Sequence, residues 1–149
     1  MLVFGSKNSS NFSYKTLSSF IVESENLLAY QVTQGLITAN IAYNPVIFYG
    51  EPGSGKTHLL EGIVGALQKS CSNYRIAFLN AQIFYIKYTK SLRNQTTQFF
   101  RQNCRTAHVF ILDDLQFLEK KVHTQTELLF TINELLQKNS LVVISSSIA

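Results

Sequence analysis

The 149-residue sequence contains no tryptophan, one methionine, two prolines and two cysteines. So little proline leaves most of the chain free to run as uninterrupted helix or strand. Cys71 and Cys104 lie far apart with no metal-ligand spacing, which excludes a disulfide framework and a paired-thiolate metal site. With no secretory leader pattern, the two thiols are expected to stay reduced in a cytoplasm as small apolar residues. No apolar run is long enough to cross a bilayer, so no membrane partner is expected. Charge is sparse at 15% of residues, which excludes a coiled coil or a charged disordered tail, while 46% hydrophobic residues suffice for one compact core.

Acidic residues are missing from one whole stretch. All nine fall between Glu23 and Glu61 or between Asp113 and Glu134. Between Glu61 and Asp113 the only charged residues are Lys69, Arg75, Lys87, Lys90, Arg93, Arg101 and Arg105. Such a stretch either faces a polyanion or is a solvated surface whose counter-charges come from elsewhere in the fold. Charge alone leaves both readings open.

What is present alternates. Residues 1–16, rich in Ser, Asn and Lys, read as a loose lead-in, and residues 17–149 read as one domain. Ser24 is placed to cap a helix bearing Leu27, Leu28, Val32, Leu36 and Ile37. Asn44-Pro45 stops it, because a residue before proline is pushed out of the helical basin. Residues 46–49 (Val-Ile-Phe-Tyr) suit a buried strand, as do 76–79, 108–112 and 141–144. Helices are expected after residue 57, over about 82–92 and 97–103, and from a capping box at Thr124–Glu127, with Asn139 closing the last. Apolar strands alternating with helices imply an α/β sandwich with a mostly parallel sheet.

Gly50-Glu51-Pro52-Gly53-Ser54-Gly55-Lys56-Thr57 fits G-x-x-x-x-G-K-[ST] after an expected strand and ahead of an expected helix. Glycines let backbone N–H groups curl around phosphate oxygens, and the helix N-terminus adds its positive end. Lys56 reaches the outer phosphates, and Thr57 is placed to ligate Mg²⁺. His58 opens the helix beside them. The pattern predicts ATP or ADP with Mg²⁺ as cofactors. The partner motif is Val109-Phe110-Ile111-Leu112-Asp113-Asp114, a strand ending on carboxylates at the edge where ligands bind in such sheets. Asp113 is a candidate Mg²⁺ ligand and Asp114 a candidate to polarise an attacking water.

Asn44-Pro45, residues 50–60, Leu112-Asp113-Asp114-Leu115-Gln116-Phe117-Leu118 and Thr124-Gln125 together resemble the ATPase domain of the bacterial chromosomal replication initiator DnaA, from about residue 17 to the end. The resemblance implies an AAA+ P-loop fold, cut after its fourth strand, that self-assembles on origin DNA and helps open it in a full-length form. It also implies that strand 141–145 lies between 46–49 and 108–112, with 76–79 outermost and 46–49 left as an exposed apolar edge. The helix pair at 82–103 corresponds to the insertion that lines a single-strand channel, which gives Lys87, Thr89, Lys90 and Arg93 as candidate DNA contacts. Tyr85 and Tyr88 are interleaved for stacking. Lys121, His123 and Thr124 are further candidates after the Asp pair. Thr89 stands where the family has Val, His123 where it has Arg, and Ser147 where it has Asp. The arginine finger and lid implied for the family lie beyond these residues, so hydrolysis by this stretch alone is expected to be very slow. A helicase-loader-type module that binds a replication protein and a small P-loop ATPase or kinase are the alternatives.

Overall fold

In the computed structural model, residues 14–38 and 43–148 are described. The expected lead-in therefore lies outside them up to residue 13. In chain order the elements are α1 (Leu27–Ile37), β1 (Val46–Tyr49), α2 (Lys56–Ser70), β2 (Ile76–Asn80), α3 (Ala81–Arg93), α4 (Thr97–Arg105), β3 (Val109–Asp113), α5 (Val122–Gln137) and β4 (Leu141–Ser146). Short 3-10 turns occupy Leu17–Ser19 and Leu115–Leu118.

The four strands form one sheet in the order β1-β4-β3-β2, all parallel, as the resemblance implied. Strand alternation divides the core into two layers. Phe110 and Leu112 of β3 and Val142 and Ile144 of β4 point to the side covered by α3, α4 and α5, where Phe84, Tyr88, Phe100 and Leu135 meet them. Val109, Ile111 and Val143 point to the opposite side, against Leu60, Ile63, Val64 and Leu67 of α2 and Leu36 of α1. Every residue of β3 is buried, which is why its sequence is an unbroken apolar run ending on Asp113. Truncating a fully buried ring such as Phe110 costs about 3–5 kcal/mol, so this strand anchors both layers.

Local chemistry sets the boundaries. Asn80 caps α3, its side-chain oxygen accepting from the Ile83 N–H at 2.8 Å. Asn139 adopts φ +58 after α5, and the Ser140 and Asn139 N–H groups bond the Leu135 and Leu136 carbonyls, a Schellman closure. Asn44 clamps the sheet before β1, its amide donating to the Ser140 carbonyl at 2.7 Å and accepting from the Val142 N–H at 2.9 Å.

Three expectations are corrected. Ser24 does not cap α1; Asn26 occupies that position, and its side chain turns back to accept from the Glu23 N–H. The buried face of α1 centres on Thr33 and Leu36, while Leu27 and Leu28 point outward. The capping box is not one: α5 already begins at Val122, and Thr124 and Glu127 are both buried inside it. The expected apolar edge at 46–49 is present: β1 is buried on one face only, with Ile47 56% and Tyr49 64% exposed, because as the edge strand it is covered from the α2 side alone among the described residues.

Candidate nucleotide-binding site

The parallel sheet delivers the end of β1 and the end of β3 to the same edge. The Gly50 N–H donates to the Ser146 carbonyl at 3.2 Å, which fixes where the loop departs. Gly55 takes φ +93, a region that L side chains rarely adopt, and a Cβ there would lie 2.9 Å from the ring of Phe20. A Cβ on Gly50 would sit 3.0 Å from the Ser54 hydroxyl. Gly53 likewise takes φ +81, so Gly53 and Gly55 are the glycines whose backbone the loop requires. Gly53, Pro52 and Ser54 form its exposed rim.

Helix α2 starts directly at Lys56 with a glycine N-cap and no side-chain cap. The first-turn N–H groups of Lys56, Thr57 and His58 have no intrahelical acceptor, so they present a concave array of donors at the positive end of the helix. The Lys56 ammonium folds over the loop and donates to the carbonyls of Gly50 (2.5 Å) and Glu51 (2.7 Å) and to the Ser54 hydroxyl (3.3 Å). It is a cation held on weak neutral acceptors, ready to exchange them for an anion. The His58 side chain is engaged elsewhere. Its Nε2 bonds the Thr16 carbonyl at 2.7 Å and the Ser19 hydroxyl at 3.2 Å, and its ring meets Phe20 edge-on.

Across from the loop, Asp113 is buried at the end of β3. Its Oδ2 accepts from the Thr57 hydroxyl at 2.7 Å. Its Oδ1 accepts from the Ser145 hydroxyl and from the Asp114 N–H at 3.1 Å. Thr57 and Asp113 are 56 residues apart in sequence, yet the fold makes them one oxygen pair beside Lys56. A hard divalent cation bound by one or two protein oxygens plus phosphates needs such a pair, so the residues present fit Mg²⁺. Asp114 stands next to them in the left-handed region at φ +58, with its carboxylate exposed.

The candidate DNA contacts scatter. Lys90 and Arg93 are exposed on α3, while Lys87 and Thr89 are half-buried. The Thr89 hydroxyl bonds the Tyr85 and Ile86 carbonyls. Lys121 lies over the rings of Tyr85 (5.2 Å) and Phe117 (4.6 Å). His123 is exposed, but Thr124 is 2% exposed and its side chain does not reach the surface. Tyr88 is buried against Phe100 and is not available for stacking. Arg101 and Arg105 find their counter-charges on α5: Glu127 pairs with both, at 2.7 and 3.1 Å, and Glu134 pairs with Arg105 at 3.0 Å. For these two arginines the solvated-surface reading of the acid-free stretch is the right one.

Sequence reasoning gave no role to Ser145 or Gln116. Ser145 is buried at the end of β4, bonds Asp113 and accepts from the Asp114 N–H at 2.9 Å. Gln116 donates to the Asp114 carboxylate at 3.0 Å and accepts from the Ser147 N–H at 3.1 Å. Gln116 stands inside the motif after the Asp pair, so its position was visible although its contacts were not.

Comparison with known proteins agrees with this geometry. Residues 11–148 match the family model described as the bacterial DnaA ATPase domain. The chromosomal replication initiator protein DnaA of Ehrlichia ruminantium is 35% identical over 134 residues, covering 88% of this chain and 29% of the relative. That of Buchnera aphidicola is 31% identical over 147 residues, covering 97% of this chain and 32% of the relative. The chain thus spans about a third of the length of these curated relatives. Domain III of the Thermotoga maritima replication initiation protein DnaA superposes with TM-score 0.86 at 32% identity, over 89% of this chain and 55% of that one. A replication initiator DnaA bound to AMPPCP and single-stranded DNA gives 0.84 at 33% identity, over 89% and 41%. The DnaC helicase loader, at 14% identity and TM-score 0.73, shares the fold alone. With a family model matching residues 11–148 and relatives 31–35% identical over 88–97% of its length, the chain belongs to the bacterial DnaA ATPase-domain family.

Proposed function

We propose that this chain is the nucleotide-binding part of a DnaA-type replication initiator, binding ATP or ADP with Mg²⁺ and acting in the cytoplasm. The observation that carries the reading is the Thr57–Asp113 oxygen pair, 2.7 Å apart, with Thr57 in the uncapped first turn of α2 next in sequence to Lys56, whose ammonium rests on the loop carbonyls. Phosphate oxygens fit the N–H array of the first helical turn, and Lys56 exchanges its carbonyl partners for the outer phosphate. Thr57 and Asp113 are the residues that would hold Mg²⁺, which when bound neutralises charge on the phosphates. Asp114, next in sequence and exposed, is the group to orient and polarise an attacking water. Hydrolysis by the 149 residues alone should be very slow. An arginine acting on the transferred phosphoryl group supplies on the order of 10³–10⁵ in rate, and none of the hydrogen bonds or ion pairs at residues 50–57, Asp113 and Asp114 involves an arginine among the described residues.

DNA enters the reading through the solved relative that holds AMPPCP and single-stranded DNA and through the exposed Lys90 and Arg93 on α3. Assembly of copies on origin DNA belongs to the same proposal. The test is nucleotide affinity measured in Mg²⁺ and in EDTA for the wild type and Thr57→Ala. The wild type should bind ATP more tightly in Mg²⁺, and Thr57→Ala should lose that difference. An Mg²⁺ effect that survives in Thr57→Ala would remove this oxygen pair from the role.

A further inference from the structure

Asp114 is an exposed carboxylate on a short side chain, placed where a loose rotamer would spoil any work on a bound water. Its backbone is held by β4, through the Asp114 N–H to the Ser145 hydroxyl at 2.9 Å. Its side chain is held by Gln116 alone among the described residues, the amide nitrogen donating to Oδ1 at 3.0 Å. The other end of the same amide accepts from the Ser147 N–H at 3.1 Å. Neither partner leaves the amide a choice. A carboxylate only accepts and a backbone N–H only donates, so the orientation of the Gln116 amide is fixed by its two neighbours. Gln116 is half-buried on the 3-10 turn Leu115–Leu118, and the Phe117 N–H anchors that turn to the Asp114 carbonyl at 3.0 Å. Ser145 inside β4, through its hydroxyl, and Ser147 just past the strand, through its backbone N–H, thus both hold the Asp114–Gln116 segment.

We infer that Gln116 is a positioning residue: it orients the Asp114 carboxylate and ties that orientation to the end of β4. This rests on the reading of Asp114 as the water-orienting group. Oδ2 of Asp114 has no protein partner among the described residues, so the Gln116 contact leaves one carboxylate oxygen available and fixes the direction in which it points. Any displacement of the β4 end around Ser147 is then passed to Asp114 through one side chain.

The donor arm of the amide can be cut alone, or together with the acceptor arm, in the whole 149-residue chain. Gln116→Glu keeps an acceptor for the Ser147 N–H and replaces the donor to Asp114 by a carboxylate oxygen. Gln116→Ala removes both arms. Without nucleotide, hydrogen exchange at the Ser147 amide should be slow in the wild type and in Gln116→Glu, and faster in Gln116→Ala. The Gln116 side-chain amide resonances should shift in Asp114→Asn, a replacement that tolerates the left-handed backbone at position 114. With ATP and Mg²⁺ under single-turnover conditions, both Gln116 variants should cleave roughly ten- to a hundredfold more slowly at nearly unchanged ATP affinity. If Asp114→Asn abolishes cleavage while Gln116→Ala and Gln116→Glu cleave like the wild type, the positioning role is wrong and the reading of Asp114 stands. If Asp114→Asn itself cleaves like the wild type, the reading of Asp114 fails first. Equal Ser147 exchange in all three proteins would remove the link to β4.

Discussion

The edge of the sheet that carries residues 50–57 and the face built by α3, α4 and α5 both concentrate charge, but they use it differently. At the edge, Lys56 rests on two neutral carbonyls and the Ser54 hydroxyl, and none of these hydrogen-bond partners is opposite in sign. On the helical face, Arg101 and Arg105 are neutralised by Glu127 and Glu134 of the neighbouring helix. The first arrangement keeps binding capacity in reserve for an anion. The second consumes charge to hold helices together. A basic residue count does not distinguish them; the partner of each cation does.

The comparison can be broken most severely at Glu127. This carboxylate is 4% exposed and serves two guanidinium groups, and its hydrogen bond to Arg101 is the main cause of that arginine's raised pKa. Breaking a buried pair costs about 3–5 kcal/mol, and the 42% exposure of Arg101 reduces this. Glu127→Ala should therefore lose about 2–3 kcal/mol in denaturant unfolding while ATP affinity in the folded protein stays unchanged. A loss below about 0.5 kcal/mol, within the range of ordinary surface changes, would show that the pair does not hold α4 to α5.

The exposed cations of α3 sharpen the contrast from the other side. Replacing Lys90 and Arg93 together by Ala should leave stability within about 0.5 kcal/mol, because both side chains are exposed. The same change should weaken single-stranded DNA binding and make the salt dependence shallower, by about 0.7 in the log–log slope for each phosphate no longer neutralised. Unchanged binding across a salt series would assign these cations to solvent, like a generic charged surface. Replacing Arg101 serves as the control, and it should move stability more than DNA affinity.

A smaller effect is expected at Glu134, whose pKa is lowered first by its hydrogen bond to Lys138 and further by Arg105. A depressed carboxylate contributes stability that is fully present above its unfolded value near 4.5 and is lost as pH falls through the folded value. Glu134→Gln should therefore unfold more easily than wild type at neutral pH, and the gap should close as pH falls below 4.5 and through the lowered folded value. A gap that persists unchanged in acid would mean that the charge is not its source. Smaller still in its effect on the fold, thiol labelling should separate the two cysteines. Burial pushes the Cys104 thiol up to about 12, so it should react only on unfolding, whereas half-buried Cys71 should react in the native protein.

How much of this was legible in the sequence follows from distance along the chain. The phosphate loop is eight consecutive residues, and its spacing alone implied the glycine turn, the Lys56 position and the helix start. The strand order required the resemblance, since no local signal places β4 between β1 and β3. Thr124 and Glu127 have the spacing of a capping box, and only the tertiary pull of Arg101, 26 residues earlier, shows what Glu127 does instead. Ser145 and Gln116 remained unread for the same reason, because their bonds to Asp114 and Ser147 join segments 31 residues apart. Tyr88 shows the opposite failure: its place in a basic stripe hinted at stacking, while its helical phase turned it into the core beside Phe100.

Calorimetric titration of the 149-residue chain with ATP in Mg²⁺ buffer, beside the same titration of Lys56→Ala, bears most directly on nucleotide binding at this loop. The wild type should give a saturable heat with one site per chain. Lys56→Ala should give none at the same concentrations while keeping the wild-type unfolding midpoint, because Lys56 bonds only loop carbonyls and a hydroxyl in the free protein. A wild-type chain that gives no heat, or a folded Lys56→Ala variant that binds ATP as tightly as wild type, would contradict the assignment of residues 50–57 as the phosphate cradle.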